Sequence, residues 1–254
     1  MTVTPDANDF FGPGVAEHYD DPDDRMFSPA LVDPAVGVLA GLAGAHGALE
    51  LAIGTGRVAI PLQQRGIRVE GIDLSAAMLA QLRTKPGGSS IPAQVGDMTT
   101  VRLGHTVGVV YLVYNTIGNV TSQDGQVAVF ETAAAHLGPG GCFVVEVGVP
   151  DLQRLPPGER FRPFSVGADH LGIDEYDVVS QALTSHHYAR PGDTGGGSGL
   201  TLRSIPFRYV WPSELDLMAR IAGLRLRHRW EDWDGRPFTG LSRSHVSVWE
   251  KLAG

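Results

Sequence analysis

The sequence is poor in cysteine, in basic residues and in long apolar runs. Its 254 residues include one cysteine, Cys142, which excludes an internal disulfide and makes a reducing compartment the expectation. Lysine and arginine total 20 against 28 aspartate and glutamate residues, a net charge of −8 that disfavours nucleic acid as a partner. No apolar run approaches the roughly 18 residues of a transmembrane helix, and residues 1–8 lack the features of a secretory signal. We therefore expect a cytoplasmic location without a membrane partner.

Glycine and proline are abundant, at 33 and 17 residues, and many separate short apolar runs from helical patterns. The predicted strands are residues 48–53, 67–72, 93–95, 107–113 and 142–147. The predicted helices are residues 33–43, 57–65, 76–83, capped by Ser75, and 124–137. Apolar strands that alternate with helices indicate a parallel sheet covered on both faces.

This alternation stops after residue 147. Residues 164–171, 176–180, 182–190 and 200–210 are predicted strands without helices between them. The glycine-rich tract 191–199 is a predicted flexible hairpin end. Ser213 is expected to cap a helix ending at residue 222, and residues 224–230 and 244–251 are the last predicted strands. The pattern indicates a β insertion rather than an independent domain.

The most specific segment is the glycine loop between the first predicted strand and the following helix. Gly54 and Gly56 allow the backbone to approach a ligand closely, and a helix N-terminus favours a negative group. Asp73 ends the second strand, where a carboxylate can accept both ribose hydroxyls of a nucleoside. Asp97 ends the third strand, so Glu50, Asp73 and Asp97 would share the edge where open α/β sheets bind ligands.

These residues resemble the class I S-adenosylmethionine-dependent methyltransferases. The family pattern is acidic-x-x-x-Gly-x-Gly, followed by a ribose-binding acid and an adenine-side pair, which match Glu50, Gly54, Gly56, Asp73, Asp97 and Met98. The resemblance covers residues 19–251 and implies an α/β fold. The expected fold is a Rossmann-like seven-stranded sheet with the last strand antiparallel, plus a small antiparallel β insertion after strand five.

The resemblance also divides the chain into functional segments. Residues 1–32 are the expected N-terminal lid segment, and residues 33–147 with 209–254 the S-adenosylmethionine-binding domain. Residues 148–208 are the expected β insertion over the substrate pocket.

A nicotinamide dehydrogenase is the rival interpretation. Residues 54–59 also fit the dinucleotide pattern G-x-G-x-x-G/A, and Asp73 lies at a suitable distance. Glu50 argues against it, because a carboxylate beside a pyrophosphate is unfavourable but suits the amino group of a methionine moiety. The Asp97–Met98 pair and the antiparallel last strand favour the methyltransferase further.

The resemblance implies S-adenosylmethionine as the cofactor and indicates its contacts. The expected cofactor-binding residues are Tyr19, Glu50, Gly54, Thr55, Gly56, Asp73, Leu74, Met78, Asp97, Met98, Val113 and Tyr114. The layout is similar to small-molecule N-methyltransferases, such as glycine N-methyltransferase and the deoxysugar N,N-dimethyltransferases, whose N-terminal Tyr-Asp pair matches Tyr19 and Asp20. Some sugar dimethyltransferases have a histidine where this chain has Asn119, a departure from amino-sugar specificity.

The expected function is methyl transfer to a small molecule, with an amine of a natural product or secondary metabolite favoured over a hydroxyl. An amine needs only to be unprotonated, whereas a hydroxyl needs a general base or a metal. No metal-ligand spacing such as H-x-x-x-H occurs, and the acidic run 20–24 is expected to be solvated, so no metal is predicted. The alternatives are a small-molecule O-methyltransferase and a methyltransferase-like protein that binds S-adenosylmethionine without methyl transfer. A homodimer is left open.

Tyr19 and His187 are the candidate catalytic residues. The Tyr19 hydroxyl could point at the sulfonium or the acceptor, with packing of the lid as the alternative. His186 and His187 alternate on a predicted strand, so they face opposite sides, and each histidine could instead be simply packed or exposed. The candidate substrate-binding residues are Tyr114, Asn119, Glu146, His170 and Trp233. Arg57 is expected in solvent or in a surface ion pair, and Glu146 is expected to be either paired or at the substrate.

Overall fold

The computed structural model describes residues 11–20, 26, 28–190 and 201–252. The helices in these ranges are α1 Pro13–Ala16, α2 Pro29–Ala43, α3 Ala59–Gln64, α4 Ala76–Thr84, α5 Gln123–Ala135 and α6 Pro212–Ile221. The strands are β1 Ala48–Leu51, β2 Val69–Asp73, β3 Ala93–Val95, β4 Val107–Leu112, β5 Leu137–Gly148, β6 Phe161–Val166, β7 His170–Asp177, β8 Ala182–Ala189, β9 Thr201–Arg208, β10 Leu224–Trp230 and β11 Ser244–Lys251.

Seven strands form the main sheet in the order β10-β11-β5-β4-β1-β2-β3. β11 pairs antiparallel with both β5 and β10, whereas β1, β2, β3, β4 and β5 pair in parallel. The prediction of seven strands with the last antiparallel is confirmed. Because β1 lies between β2 and β4, the residues that follow these three strands meet at one edge of the sheet.

The remaining four strands form a separate antiparallel sheet in the order β6-β7-β8-β9. This sheet follows β5 in the chain, so the predicted antiparallel insertion is confirmed. We call it the insertion sheet. Its last strand, β9, contacts the turn Thr116–Asn119 that follows β4, which brings the insertion sheet to the same edge of the main sheet.

Two predicted strands of the insertion have wrong bounds. The predicted strand 164–171 crosses a turn, because the chain reverses after β6 and the Gly167 N–H donates to the His170 carbonyl at 2.9 Å. The predicted strand 176–180 continues past the end of β7. Asp177 ends that strand, since its carboxylate accepts the Val179 N–H at 3.0 Å and the Ser180 hydroxyl at 2.5 Å. A local turn built on one aspartate therefore outweighs the β propensity of the valines beside it. The predicted hairpin end 191–199 lies outside the described residues.

Helix capping follows the sequence prediction at one helix and departs from it at another. Ser75 caps α4 as predicted, accepting the Met78 N–H at 3.1 Å. Ser213 does not cap α6, which begins one residue earlier at Pro212 after the N-cap Trp211. Proline at the first helical position supplies a suitable φ and needs no N–H partner.

A hydrophobic core lies on each face of the main sheet. Residues of α2, α3 and α4 belong to one core, and residues of α5 and α6 belong to the other. In the second core the Phe130 ring lies edge-on to Phe143 at 4.9 Å and to Trp249 at 5.2 Å between centroids. Helices on both faces confirm the predicted covered sheet.

The segment 29–46, which contains α2, is long and apolar enough to meet a length-and-composition criterion for a membrane-crossing helix. Core helices of globular proteins meet the same criterion. In this fold Val32, Val36, Leu39 and Ala43 of α2 are buried in the core beside β4.

Candidate active site

Three cavities open around the carboxyl ends of the parallel strands. The first, which we call the Asp73 cavity, has a volume of about 410 Å³. The N-terminal segment, the ends of β1–β3 and the segment after β4 all contribute to it. Its walls include Phe11, Tyr19, Ala52, Gly54, Asp73, Leu74, Met78, Asp97, Met98, Thr116 and Asn119. This cavity brings together most of the residues that the sequence assigned to a nucleoside, and it also takes in Asn119, which was assigned to the substrate.

Asp73 is held rigidly at the end of β2. Its Oδ2 accepts the Gly54 N–H at 2.7 Å, and its Oδ1 accepts the Ser75 N–H at 2.8 Å. The residue is 9% exposed, and burial raises the pKa of its carboxyl while the two backbone N–H groups oppose that rise. Each carboxylate oxygen keeps a further lone pair, so Asp73 can accept a pair of hydroxyl donors from the cavity.

The glycine loop adopts a backbone that few residues can take. Gly54 and Gly56 have φ values of 57° and 83°, in the left-handed region that favours glycine. A Cβ on Gly56 would lie 2.4 Å from Leu82 Cδ1, so a side chain there would also require Leu82 to move. Ala52 takes φ 55° without being glycine, which concentrates backbone strain beside the cavity.

Asp97 and Met98 follow β3 and form another part of the Asp73 cavity wall. Asp97 Oδ1 accepts the Thr99 N–H at 2.8 Å and the Thr99 hydroxyl at 2.7 Å. These bonds orient the carboxylate by a local turn. The cavity is thus apolar at Met98 and Met78 and acidic at Asp97 and Asp73, which suits a purine ring attached to a ribose.

The N-terminal segment lies against the glycine loop. Asp20 Oδ1 accepts the Thr55 hydroxyl at 2.7 Å, and Asp20 Oδ2 lies 2.5 Å from Lys85 Nζ. Ser75 Oγ donates to the Phe11 carbonyl at 2.6 Å. These contacts place Tyr19 on the wall of the Asp73 cavity. Asp21, Asp23 and Asp24 of the acidic run lie outside the described residues.

Tyr19 is a hydrogen-bond donor rather than a base in this environment. Burial raises the pKa of its hydroxyl, and the nearby Arg57 charge acts in the opposite direction. Its ring lies edge-on to Phe11, with 6.4 Å between centroids. A phenol with a raised pKa stays protonated at neutral pH.

Glu50 is 4% exposed and is paired with Tyr111. The Tyr111 hydroxyl donates to Glu50 Oε2 at 2.9 Å from the neighbouring strand β4. Burial raises the pKa of Glu50 to about 8, although the Tyr111 bond and the Arg57 charge oppose the rise. Tyr111 was missed by sequence reasoning because it lies in a continuous apolar strand. The signal that could have found it is the Glu50–Tyr111 register between β1 and β4.

The second cavity, which we call the Trp233 cavity, has a volume of about 340 Å³. Its walls include Met26, Leu31, Val32, Arg57, Val113, Tyr114, Glu146, Glu231, Asp232, Trp233 and Val246. It brings together three of the predicted substrate residues, Tyr114, Glu146 and Trp233. The wall combines an aromatic and aliphatic side with three carboxylates and one guanidinium.

The β4–β5 edge of this cavity is strained and tightly held. Tyr114 and Asn115 both have φ 60°, a conformation that costs of order 1–3 kcal/mol for such residues. Glu146 Oε2 accepts the Tyr114 N–H at 3.0 Å, and Asn115 Oδ1 accepts the Gly148 N–H at 2.5 Å. Glu146 is therefore paired, and it also lies on the cavity wall. Its contact with a substrate stays a prediction.

The prediction for Arg57 is wrong. Its guanidinium lies 4.5 Å from the centre of the Tyr114 ring, and its Nη1 donates to the Met26 carbonyl at 3.1 Å. Within the described part of the chain it makes no ion pair with a carboxylate. The side chain lines the Trp233 cavity instead, because α3 begins only at Ala59 and leaves Arg57 on the glycine loop.

The third cavity, which we call the insertion cavity, lies between the insertion sheet and the segments after β4 and β5. Its walls include Asn115, Gly118, Gly148, Asp151, Arg162, Asp174, Tyr176, Ser185 and Phe207. Arg162 pairs with Asp151, and the Ser185 hydroxyl donates to Asp174 at 2.6 Å. The insertion sheet therefore presents a polar face to this edge of the main sheet.

The predicted histidines lie away from the walls of all three cavities. His170 Nε2 lies 3.1 Å from His187 Nδ1, and His170 Nδ1 lies 3.0 Å from Ser165 Oγ. Burial and the neighbouring His170 lower the pKa of His187. His186 is on the opposite face of β8, 2.8 Å from Ser204 Oγ, as strand alternation predicts. No histidine is among the described residues that line the cavities.

A buried polar network fixes the insertion sheet to the helices. Arg208, at the end of β9, donates to Gln126 Oε1 at 2.5 Å and to Glu214 Oε1 at 2.7 Å. Gln126 Nε2 in turn donates to the Ile117 carbonyl at 3.1 Å. Burial alone would raise the pKa of Glu214, but hydrogen bonds from Arg208 and two glutamines hold it below its ordinary value. The network ties the turn Thr116–Asn119 to the insertion sheet and to α5 and α6.

Comparison with known proteins agrees with this geometry. A family model for a methyltransferase domain matches residues 48–141. The CcbJ methyltransferase from Streptomyces caelestis has a structure that superposes with a TM-score of 0.83 at 35% identity, covering 98% of this chain and 100% of that one.

Two curated proteins are similar in sequence. The cypemycin N-terminal methyltransferase of Streptomyces sp. is 28% identical over 206 residues, which is 80% of this chain and 82% of that protein. The dTDP-3-amino-3,6-dideoxy-α-D-glucopyranose N,N-dimethyltransferase of Streptomyces fradiae is 36% identical over 98 residues, 39% of this chain and 38% of that protein. The sheet order, the glycine loop and the full-length similarity to CcbJ all indicate the same family. The chain therefore belongs to the class I S-adenosylmethionine-dependent methyltransferases.

Proposed function

We propose that this methyltransferase transfers its methyl group to an amine nitrogen of a small natural-product acceptor. The proposal rests on the types of side chain that line the cavities. Among the described residues these walls hold seven carboxylates, Asp73, Asp97, Glu146, Asp151, Asp174, Glu231 and Asp232, and no histidine. An amine arrives largely as an ammonium ion, which such walls attract.

The cofactor fits the residues present. S-adenosylmethionine supplies, when bound, an electrophilic methyl group on a sulfonium sulfur. Asp73 would accept the ribose hydroxyls, and Asp97 with Met98 would contact the adenine. Glu50 would offset the charge of the α-amino group from beneath the glycine loop. The Gly54 and Gly56 backbone gives the ligand close access to β1.

Nitrogen is favoured over oxygen because the site offers little general-base capacity. A hydroxyl acceptor needs a base of suitable pKa within hydrogen-bond reach. Tyr19 stays protonated because its pKa is raised, and it would act by donating a hydrogen bond and excluding water. His187, the sequence candidate for a base, is paired with His170. An amine acceptor needs only to lose its proton to solvent or to a carboxylate such as Glu146.

The acceptor would bind where the Trp233 cavity and the insertion cavity adjoin. Tyr114 and Glu146 of the first and Asn115 of the second are neighbours at the ends of β4 and β5. In this proposal residues 148–208 cover the acceptor and residues 1–32 act as the lid. Proximity and orientation of the nitrogen toward the S–CH₃ bond would then supply most of the rate acceleration.

The printed activities of two relatives support the proposal. One methylates at an N-terminus and the other dimethylates an amino sugar, and both act on nitrogen. We further propose that nucleic acid is not a partner, since the net charge is −8. The single cysteine supports a cytoplasmic location, which we propose together with the absence of a membrane partner.

The experiment uses acceptors in matched pairs that differ only at the nucleophile. One pair is an aminodeoxysugar with its parent sugar, and the other is a short peptide with a free or an acetylated N-terminus. Formation of S-adenosylhomocysteine and the mass of the product are measured at saturating cofactor. We expect turnover only with the amine of each pair.

Turnover of the hydroxyl member instead would establish O-methylation. Tight cofactor binding with no turnover across a broad acceptor panel would favour binding without transfer. The variants His187→Ala and His170→Ala serve as a further arm, and neither should lower kcat with an amine by more than a few-fold. A loss of several orders of magnitude in either would identify a general base.

A further inference from the structure

We infer that Asp174 of the insertion cavity binds a second cationic group of the acceptor, distinct from the nitrogen that is methylated. The ligand class is an amine that carries a further ammonium or guanidinium group, such as a diamine. The inference rests on the proposed function in one respect, because that function places the reacting amine at Tyr114 and Glu146. The charge and the walls of the insertion cavity do not depend on it.

The strand register turns Asp174 toward the insertion cavity. Asp174 of β7 lies opposite Ser185 of β8 and opposite Arg162 of β6. Residues two apart on a strand share a face of the sheet, so Tyr176 lies on the same side as Asp174. All four residues line the insertion cavity. The insertion sheet therefore presents the Asp174 carboxylate on its cavity-facing side.

Asp174 is a half-buried carboxylate with a neutral hydrogen-bond donor. The Ser185 hydroxyl donates to Asp174 Oδ1 at 2.6 Å. Burial raises the pKa of Asp174, whereas the hydroxyl groups of Ser185 and Tyr176 favour its ionised form. The Tyr176 hydroxyl stays neutral, because burial raises its pKa to about 12. These donors orient the carboxylate without neutralising its charge.

The cations around the insertion cavity have other partners. Arg162 pairs with Asp151, and Arg208 is held in the buried network that fixes the insertion sheet. Arg162 and His187 lie near enough to act on Asp174. Burial lowers the pKa of His187, so that ring is neutral at pH 7. Among the described residues that line the cavity, Asp174 is thus the charged group that has no ion-pair partner. An ionised carboxylate partly removed from water is stabilised by an opposite charge, which the ligand would supply.

The insertion cavity adjoins the proposed site of methyl transfer. Asn115 and Gly148 lie on its wall, and Asn115 follows directly on Tyr114 of the Trp233 cavity. The volume of the insertion cavity is about 340 Å³, within the range of roughly 300–1,000 Å³ for small-molecule sites. An acceptor with its amine at Tyr114 can therefore place a second group beneath the insertion sheet. The Asp174 carboxylate then selects acceptors in which that second group is cationic.

The test measures acceptor binding by calorimetry to the enzyme saturated with S-adenosylhomocysteine, so that no turnover is needed. The probes are α,ω-diamines with three to eight carbon atoms, each compared with the amino alcohol and the monoamine of the same length. Asp174→Asn and Asp174→Ser remove the charge, whereas Ser185→Ala keeps it. Asp169→Asn is the matched control, because Asp169 is exposed in the turn between β6 and β7. Thermal unfolding of each variant reports whether it is folded.

We expect a diamine of suitable length to bind the wild type roughly 10- to 100-fold more tightly than the matched amino alcohol or monoamine, the effect of one charged hydrogen bond. Asp174→Asn should reduce this preference to less than about 3-fold, because the amide keeps the shape of the carboxylate but not its charge. Asp174→Ser should do the same. Ser185→Ala and Asp169→Asn should retain the preference of the wild type.

Absence of a diamine preference at every chain length in the wild type would overturn the inference. A preference that survives in Asp174→Asn or Asp174→Ser would also overturn it, because the second cation would then bind elsewhere. Equal affinity for a diamine and its amino alcohol, with transfer to nitrogen, would assign Asp174 to a hydroxyl group and refute its role in binding a cation.

Failure of the amine proposal is a separate result. It would appear with S-adenosylmethionine as methylation of the amino alcohol at its oxygen, while Asp174→Asn still lowered the affinity for the diamine.

Discussion

Replacing Glu50 by Gln should change how the stability of the cofactor-free protein depends on pH. The amide has the shape of the carboxyl and can still accept from Tyr111, but it does not ionise. Glu50 is buried, and burial raises its pKa to about 8 from the ordinary value of 4.5 for a glutamate. Between these two pH values Glu50 is therefore protonated in the folded protein and ionised in the unfolded chain.

The sign follows from proton counting. Between pH 4.5 and about pH 8 the unfolded state binds fewer protons at this position than the folded state. The free energy of unfolding of the wild type should then fall with rising pH by about 1.4 kcal/mol per unit from this group alone. Below pH 4.5 Glu50 contributes its full stabilisation of the folded state. Above about pH 8, about 5 kcal/mol of that stabilisation has been lost.

The assay is urea unfolding of wild type and Glu50→Gln at pH 5.5, 6.5 and 7.5. Other titrating groups contribute to both proteins and cancel in the difference. Relative to the wild type, the free energy of unfolding of the variant should rise by roughly 2.7 kcal/mol between the lowest and the highest pH of the series. Tyr111→Phe is a control with the opposite effect on Glu50. Removal of the Tyr111 donor raises the pKa of Glu50 further, so the free energy of unfolding continues to fall at higher pH. A difference between wild type and Glu50→Gln that is the same at every pH would refute the reasoning.

Three further predictions concern single side chains. Asp73→Asn should weaken S-adenosylmethionine binding by about 10- to 100-fold in calorimetry, and an unchanged dissociation constant would place the ribose elsewhere. His245 is 0% exposed, and burial lowers its pKa from 6.5 to about 4. The wild type should therefore lose about 1.4 kcal/mol per unit as pH falls through that interval. The His245→Asn variant should not show this loss when its free energy of unfolding is measured with denaturant. The same pH dependence in wild type and variant would contradict the prediction. Arg208→Met leaves Glu214, whose side chain is 14% exposed, without its cation and should cost about 3 kcal/mol. Arg208→Met with Glu214→Gln should recover part of that loss, and a cost below about 1 kcal/mol for the single variant would show the network to be dispensable.

Most strands of the main sheet were predicted to within two residues at each end. β3, β10 and β11 have the predicted bounds. β1 and β4 differ at one end, and β2 at both ends, by one or two residues. These strands are bordered by glycine or by polar segments, so the residue types along the chain mark where they end. β8 and β9 of the insertion differ from the prediction by at most two residues. The bounds of β6 and β7 were wrong, because their turns depend on Asp177 and on cross-strand register rather than on composition. The prediction was also wrong for β5, which begins at Leu137 rather than at residue 142.

The candidate site was predicted unevenly. Asp73, Asp97, Met98 and the glycine loop meet in one cavity because each follows a parallel strand. Asn119 also lies there, although the sequence assigned it to the substrate. The functional use of these residues stays a prediction, and so does that of His170 and His187 on the insertion sheet.

Other features depend on residues far apart in the chain. Tyr111 bonds to Glu50 across 61 positions, and Arg57 bonds to the Met26 carbonyl across 31. No local period or motif encodes such a contact. It arises only when β4 pairs beside β1 and the N-terminal segment lies over the glycine loop.

The sequence by itself determined the fold class and the acidic edge of the sheet, because burial periodicity and strand-end positions are local properties of the chain. Its resemblance to a known family identified the cofactor. The tertiary structure decided which charges face one another. It paired Glu50 with Tyr111 inside the protein and moved Arg57 from the expected surface to a cavity wall. It also placed His170, His186 and His187 away from the walls of the three cavities, since side-chain environment depends on packing between distant segments rather than on neighbours in sequence.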